Sequence, residues 1–219
     1  MRNLAIPLVI GAMCSASHAD IPQMGGAMSH LLVSIFDQQV FIGFESPSMS
    51  TVELLDGSGS FNGAASVLDG LGHNAQFGWL ANGFISLPPS SGVFVRTVSM
   101  SPYLQIYSEF GYAPILGTEG SDRIWQWDGT MTHNWFASEA QGLSSATFEV
   151  FVGDLAGNPL DGWISGTIDL QFLYGADLSG RIGTRSGGAA QGLVPSVPAP
   201  AGIALLSLSA VTRRKRASA

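Results

Sequence analysis

The clearest candidate metal ligands in the body of this chain are three histidines, His30, His73 and His133. Zinc takes three or four nitrogen, oxygen or sulfur ligands in a tetrahedral shell, and imidazole is a common one. Because Cys14 is the only cysteine and lies in a predicted leader, carboxylates would have to complete such a site. No HxH or HxxxH spacing joins the histidines, so the fold must bring them together. Isolated structural histidines at strand ends are the alternative.

Two tryptophans form a second candidate site. Trp125 and Trp127 are two residues apart, so they share one face if this segment is a strand. Two aromatic faces on one surface could stack against the sugar rings of an extracellular polysaccharide. The alternative is that both rings belong to the core.

The motifs of common enzymes are missing from the sequence. There is no HExxH helix and no phosphate-binding loop, and no Gly-x-Ser-x-Gly elbow precedes a helix. A chain that loses its only cysteine with its leader also has no thiol nucleophile. The sequence therefore predicts a protein that is not an enzyme.

The elements that must position these residues are predicted to be strands. Thr167 to Tyr174 alternates apolar and polar residues, and so does Thr147 to Val152, as half-buried strands do. Leu31 to Phe36 and Val40 to Glu45 flank Asp37-Gln38-Gln39, which indicates a hairpin. Further strands are predicted at Val93 to Met100, Leu104 to Phe110 and Ile124 to Trp127, with one short helix between Ser60 and Leu71. Short strands with frequent turns favour an all-β fold, an antiparallel, jelly-roll-like β-sandwich.

The N-terminal pattern predicts a signal peptide over residues 1–19. Arg2 supplies the positive charge, Leu4 to Met13 is the apolar segment, and Ser17-His18-Ala19 is a small-residue cleavage site before Asp20. Signal peptidase would cut between Ala19 and Asp20. The mature chain then has no cysteine and no disulfide.

The C-terminus has the layout of a sorting tail over residues 197–219. Val197, Pro198, Ala199 and Pro200 precede the apolar run 201–211, which is followed by Arg213, Arg214, Lys215 and Arg216. At about 1.5 Å per residue this run is too short to cross a ~30 Å hydrocarbon core. We expect a short apolar helix that associates transiently with the membrane, its basic cluster on the cytoplasmic side. The Gly-, Ser- and Ala-rich residues 179–196 form a predicted flexible linker, which leaves a sandwich domain at 20–178.

The charge of the mature body limits its partners. Without the leader and tail, four arginines face all 16 acidic residues, a formal net charge of −12. Such a surface repels nucleic acid and anionic lipid. Cations are the electrostatically favoured ligands.

The tail resembles the PEP-CTERM sorting signal of bacterial surface proteins, which an exosortase-type enzyme recognises and removes. Three blocks of the body, 74–85, 112–118 and 125–136, resemble PEP-CTERM proteins repressed by the zinc-uptake regulator. The likeness covers roughly residues 29–174 and the tail. It implies an exported cell-surface or matrix protein that captures or hands over zinc, with His30 and His133 as matching ligands and His73 added by residue type alone. A structural or adhesion protein, or a glycan-binding module using Trp125 and Trp127, is the alternative.

Overall fold

A computed structural model describes residues 21–46 and 50–175. The predicted signal peptide with its Ala19–Asp20 cleavage site, the linker 179–196 and the tail 197–219 lie outside these residues. Within the described ranges, no helix has the length and apolar character needed to span a bilayer.

Strands dominate the described part of the chain, and helical structure is limited to short 3-10 segments at Gly63–Leu68 and Thr118–Gly120. The first of these lies where the sequence predicts a helix. The strands, numbered in chain order, are β1 Ser29–Phe36, β2 Gln39–Phe44, β3 Thr51–Leu54, β4 Gly72–Asn74, β5 Phe77–Ala81, β6 Ser91–Met100, β7 Leu104–Tyr107, β8 Ile124–Trp127, β9 Trp135–Ser138, β10 Gly142–Asp154 and β11 Gly166–Tyr174. The all-β prediction is confirmed.

The strands form three sheets, in the orders β2-β1-β5, β3-β11-β10-β6-β8 and β4-β9-β7. Most neighbours are antiparallel, but β1 pairs with β5 in parallel and β11 pairs with β3 in parallel. The prediction of purely antiparallel sheets is therefore wrong in these two places. Parallel neighbours need long connections, and sequence alternation carries no information on strand direction.

The predicted hairpin is confirmed, with a tighter turn than expected. Phe36 pairs with Gln39, so only Asp37 and Gln38 form the turn. Both have positive φ, at 50° and 58°, as a type I′ turn requires at its two central positions. The register that follows places Leu31 opposite Phe44.

The alternating strands also behave as predicted. In β11, Ile168, Leu170 and Phe172 are buried while Thr167 and Asp169 are exposed. In β10, the buried side chains include Phe148, Val150 and Val152. One continuous cluster of buried apolar side chains draws on strands of all three sheets.

Three phenylalanines join the sheets inside this core. Phe77 belongs to β5, Phe136 to β9 and Phe172 to β11, which lie in three different sheets. The ring centroid of Phe172 lies 4.6 Å from that of Phe136 and 5.6 Å from that of Phe77. All three side chains are at most 1% exposed, so each ring is a contact between sheets.

Truncation of Phe172 should therefore weaken the whole fold. We expect Phe172→Ala to lower the free energy of unfolding by about 3–5 kcal/mol, because it removes transfer energy and leaves a cavity. Phe36 is 75% exposed, so Phe36→Ala should stay within about 0.5 kcal/mol of wild type. Urea unfolding measures both. Equal effects of the two variants would contradict this assignment of the core.

Candidate two-histidine site

His30 lies on the face of β1 that is turned away from the core. Ser29, Leu31 and Val33 are buried on one side of this strand, and His30 alternates with them. The His30 side chain is 15% exposed, and its Nδ1 lies 2.6 Å from Oε2 of Glu45. The backbone N–H of Glu45 also donates to the carbonyl of His30 at 2.9 Å. Glu45 therefore holds the imidazole through its Nδ1 side.

His133 reaches the same face from the connection between β8 and β9. Thr132 and Trp79 exchange two backbone hydrogen bonds, at 2.9 and 3.1 Å, which draw this connection alongside β5. His133 is 7% exposed, and its ring lies over Gly78. A Cβ added at Gly78 would come within 2.5 Å of Cε1 and Nε2 of His133. Gly78 is the register partner of His30, so the parallel pairing of β1 and β5 brings the two histidines together.

The hydrogen bonds of the two rings determine which nitrogen is free. Nδ1 of His133 lies 2.8 Å from the carbonyl oxygen of Ala75. A carbonyl only accepts, so Nδ1 carries the proton, and in the neutral imidazole Nε2 then carries the lone pair. The carboxylate of Glu45 has the same effect on His30. Both Nε2 atoms are buried and have no hydrogen-bond partner among residues 21–46 and 50–175.

The spacing of the two rings is close to that of two histidines bound to one metal ion. The two ring centroids are 5.6 Å apart, with the rings at 69° to each other. With Zn–N distances of about 2.0–2.1 Å and near-tetrahedral angles, two histidines on one zinc ion have centroids roughly 5 to 5.5 Å apart. Metal-binding histidines also commonly donate their second N–H to a carboxylate or a backbone carbonyl, as the Nδ1 atoms of His30 and His133 do.

The described residues offer two candidate ligands here rather than four. Across the described residues, no three His, Cys, Asp or Glu side chains are grouped to hold one ion. Glu45 faces Nδ1 of His30, and Glu109 accepts the backbone N–H of His133 at 2.9 Å. A zinc ion held by His30 and His133 would keep open positions for water or an incoming ligand.

His73 stands apart from this pair. It is 3% exposed in β4, and its Nδ1 lies 3.0 Å from the carbonyl oxygen of Leu71. Its ring packs edge-on against Phe61 at 5.2 Å and lies 5.8 Å from the ring of Trp135. The structure therefore joins two of the three predicted metal ligands and places the third in a separate aromatic cluster.

The predicted pair of tryptophans shares a face of β8, and that face is turned to the core. Trp127 is 1% exposed, and its Nε1–H donates to the carbonyl of Thr130 at 2.7 Å. Trp125 is half-buried, and its ring centroid lies 6.5 Å from that of Trp79. Trp127 has no face available to a sugar ring. The prediction of a sugar-binding platform made of Trp125 and Trp127 is therefore wrong. A spacing of two residues in a strand predicts that two side chains share a face, but it does not predict whether that face is exposed or buried.

Sequence reasoning missed the residues that hold the two histidines in place. Glu45 lies opposite His30 because the hairpin turn has two residues, whereas a three-residue turn shifts that register by one. Gly78 and Ala75 had no local signal at all, since their roles arise from strands that are distant in sequence. The predicted hairpin was the one sequence feature that could have placed Glu45 near His30.

Gly78 gives a direct test of this geometry. A methyl group at position 78 must displace the His133 ring, so Gly78→Ala should destabilise the fold by about 1–3 kcal/mol and perturb the His133 ring resonances in NMR spectra. Gly43 lies in the neighbouring strand β2, with no atom within 4 Å of an added Cβ. Gly43→Ala should therefore have little effect. Unchanged His133 resonances in Gly78→Ala would contradict the packing of His133 over Gly78.

Comparison with known protein families and with curated protein sequences finds no match to this chain. The likeness to the zinc-regulated PEP-CTERM family thus stays a prediction from the sequence. The case for function rests on the geometry of His30 and His133.

Proposed function

We propose that this protein is an exported surface or matrix protein, not an enzyme, that binds zinc through His30 and His133. The observation that carries the proposal is the pair of buried Nε2 lone pairs without partners on two adjacent imidazoles. A buried polar atom that makes no hydrogen bond costs free energy, and a shared cation would satisfy both. Imidazole ligands suit zinc, and the formal charge of −12 on the mature body attracts cations.

An open site suits capture and release more than permanent storage. Two protein ligands leave the rest of the zinc shell to exchangeable groups, so we expect affinity in the micromolar range and ready transfer to a stronger ligand. Binding should weaken in acid, because a protonated imidazole has no lone pair for the metal. This behaviour accords with the zinc hand-over implied by the family resemblance.

Zinc titration of the purified, chelator-treated full-length protein tests the proposal. His30→Gln and His133→Gln should each lower zinc affinity at least tenfold, because each removes one of two ligands. His73→Gln should leave the affinity unchanged. Zinc at 100 times its dissociation constant should raise the stability of the wild type by about 2.7 kcal/mol.

Two results would contradict the zinc proposal. One is the absence of any heat of binding or thermal stabilisation when zinc is added. The other is a loss in His73→Gln as large as the losses in the other two variants. In that case a structural or adhesion role without a metal becomes the better account.

We propose further that the three sheets stack as a jelly-roll-like sandwich. Support comes from the single apolar cluster that all three sheets share. The contacts among Phe77, Phe136 and Phe172 also span the sheets. Such stacking would hold β1 and β5 rigidly beneath the two histidines.

Export and sorting are the second part of the proposed function. The supporting observations are the signal-peptide pattern of residues 1–19 and the Pro-apolar-basic order of residues 197–219. Signal peptidase would remove the leader, and an exosortase-type enzyme would act at Val197 to Pro200. The linker 179–196 would then separate the folded domain from the envelope.

The basic end of the tail offers a test of sorting. Replacing Arg213, Arg214, Lys215 and Arg216 with alanine should remove the cytoplasmic stop, so precursor should accumulate and surface protein should fall. Arg181→Ala with Arg185→Ala serves as the control, because these arginines lie in the linker. Immunoblots of cell fractions report both variants. Identical fractionation of tail variant and wild type would contradict the sorting role.

A further inference from the structure

The loop 108–113 follows β7 directly and is closed by Ser108 and Ala113. The backbone N–H of Ser108 donates to the carbonyl of Ala113 at 2.9 Å, and the N–H of Ala113 donates to the Ser108 hydroxyl oxygen at 3.0 Å. That hydroxyl donates in turn to the carbonyl of Phe110 at 2.8 Å. These hydrogen bonds define the backbone path of residues 109–112.

The tip of this loop has a left-handed backbone. φ is 79° at Gly111 and 53° at Tyr112. Glycine adopts this conformation freely, but a bulky aromatic residue rarely does, because its Cβ crowds the backbone. Such strain persists only where the surroundings hold it, and it concentrates at ligand-binding segments. Here the Tyr112 ring is held by stacking on Trp135, with centroids 5.8 Å apart and 28° between the planes.

The loop forms one wall of an open cavity of about 510 Å³, which is within the usual range of small-molecule sites. Glu109, Phe110 and Tyr112 all line it. Methionine side chains from other parts of the chain line it as well: Met24, Met28 and Met131. Aromatic rings, thioethers and a carboxylate therefore meet around one space.

The apolar side chains around this cavity are open to solvent. Phe110 is 84% exposed, and the three methionines are between 38% and 51% exposed. Tyr112 is half-buried. Exposed apolar side chains that lie together, rather than singly, are typical of binding surfaces. A ligand that enters the cavity can contact these groups without any rearrangement of the core.

Glu109 supplies the negative charge at this cavity. Its Oε2 accepts the backbone N–H of His133 at 2.9 Å, which anchors one oxygen of the carboxylate. Among the described residues, no lysine or arginine lines the cavity. The formal charge of −12 on the mature body adds a field that attracts cations. The electrostatics of the cavity thus favour a cationic ligand over an anionic one.

Aromatic faces and thioethers suit one kind of cation in particular. The face of an aromatic ring attracts cations, and quaternary ammonium groups are recognised in this way. Methionine side chains are polarizable and adapt their shape to apolar groups such as methyls. An ammonium ion with N–H bonds needs several acceptors to replace its water, and Glu109 is the one carboxylate among the described lining residues. A quaternary ammonium has no N–H bond and needs no acceptor.

We propose that this cavity binds a quaternary ammonium ion, with Phe110 and Tyr112 against its methyl groups and Glu109 balancing its charge. His133 also lines the cavity, but its Nε2 is buried and takes no part in this binding. The ammonium site is therefore independent of zinc.

Choline and its neutral analogue 3,3-dimethylbutan-1-ol test the proposal, because they share a shape and differ in charge. The titrations use chelator-treated full-length protein with ¹³C-labelled methionine methyl groups. Millimolar choline should shift the methyl resonances of Met24, Met28 and Met131, and should leave that of Met100, which lies in β6 outside the cavity. The neutral analogue should bind more weakly. Phosphocholine should also bind more weakly if the ligand is a free cation rather than a lipid headgroup, because its phosphate is repelled.

Glu109→Gln isolates the contribution of charge. Glutamine keeps a side-chain oxygen for the N–H of His133, so the loop should stay in place. The affinity for choline should fall about fivefold, whereas that for the neutral analogue should not change. Glu53→Gln removes the same charge from an exposed residue outside the cavity and should have little effect.

Exposed phenylalanines supply a second pair of variants that should fold normally. Phe110→Leu keeps an apolar side chain but removes the aromatic face, so the affinity for choline should fall about threefold. Phe84→Leu, at a ring that is 91% exposed and outside this cavity, should leave it unchanged. His30→Gln should also leave choline binding unchanged, so failure of the zinc proposal and failure of this one are distinguishable.

Three results would overturn the proposal. The first is that choline leaves the three methionine methyl resonances in place. The second is equal affinity of the wild type for choline and for its neutral analogue. The third is a dimer in analytical ultracentrifugation that Phe110→Leu dissociates, which would mean that a second copy of the chain covers the cavity.

Discussion

Contact among Phe77, Phe136 and Phe172 is the interaction on which the rest of the structure depends. These rings come from three sheets and meet in the core. Because successive side chains of a strand point to opposite faces, burial of Phe77 and Trp79 turns Gly78 outward. The same rule turns His30 outward when Leu31 and Val33 are buried. The core thus orients the site that lies on the other face of the β1–β5 pair.

Glycine at position 78 makes the approach of the two histidines possible. A Cβ at residue 78 would come within 2.5 Å of the His133 imidazole, so any side chain there would force that ring to move. Backbone hydrogen bonds between Trp79 and Thr132 then hold the His133 segment against β5. Glu45 and the carbonyl of Ala75 orient the rings from outside. Four separate segments of the chain therefore define the position of two Nε2 atoms.

The polar atoms that the fold leaves without partners are few, and they concentrate near the connection from β8 to β9. Five buried side-chain atoms lack a hydrogen bond in the described residues, and four of them belong to His30, His133 and Asn134. The fifth is Oγ of Ser29. Asn74 and Thr97 illustrate buried polar groups that are paired. Each unpaired buried atom lowers the stability of the fold. The proposed function assigns the two imidazole nitrogens to a shared cation.

Local sequence was enough to predict the all-β class, the β1–β2 hairpin and the alternating faces of β10 and β11, because turn chemistry and period-two patterning act between near neighbours. Residue type alone made His30, His73 and His133 candidate ligands, without indicating which of them lie together. The parallel pairing of β5 with β1 could not be read from the sequence, since it joins segments more than 40 residues apart and depends on core packing. For the same reason, only the tertiary structure separated His73 from the pair, buried Trp127 and left Asn134 without a partner. Each of these outcomes is decided by which distant surface covers a side chain, and neighbouring residues do not encode that.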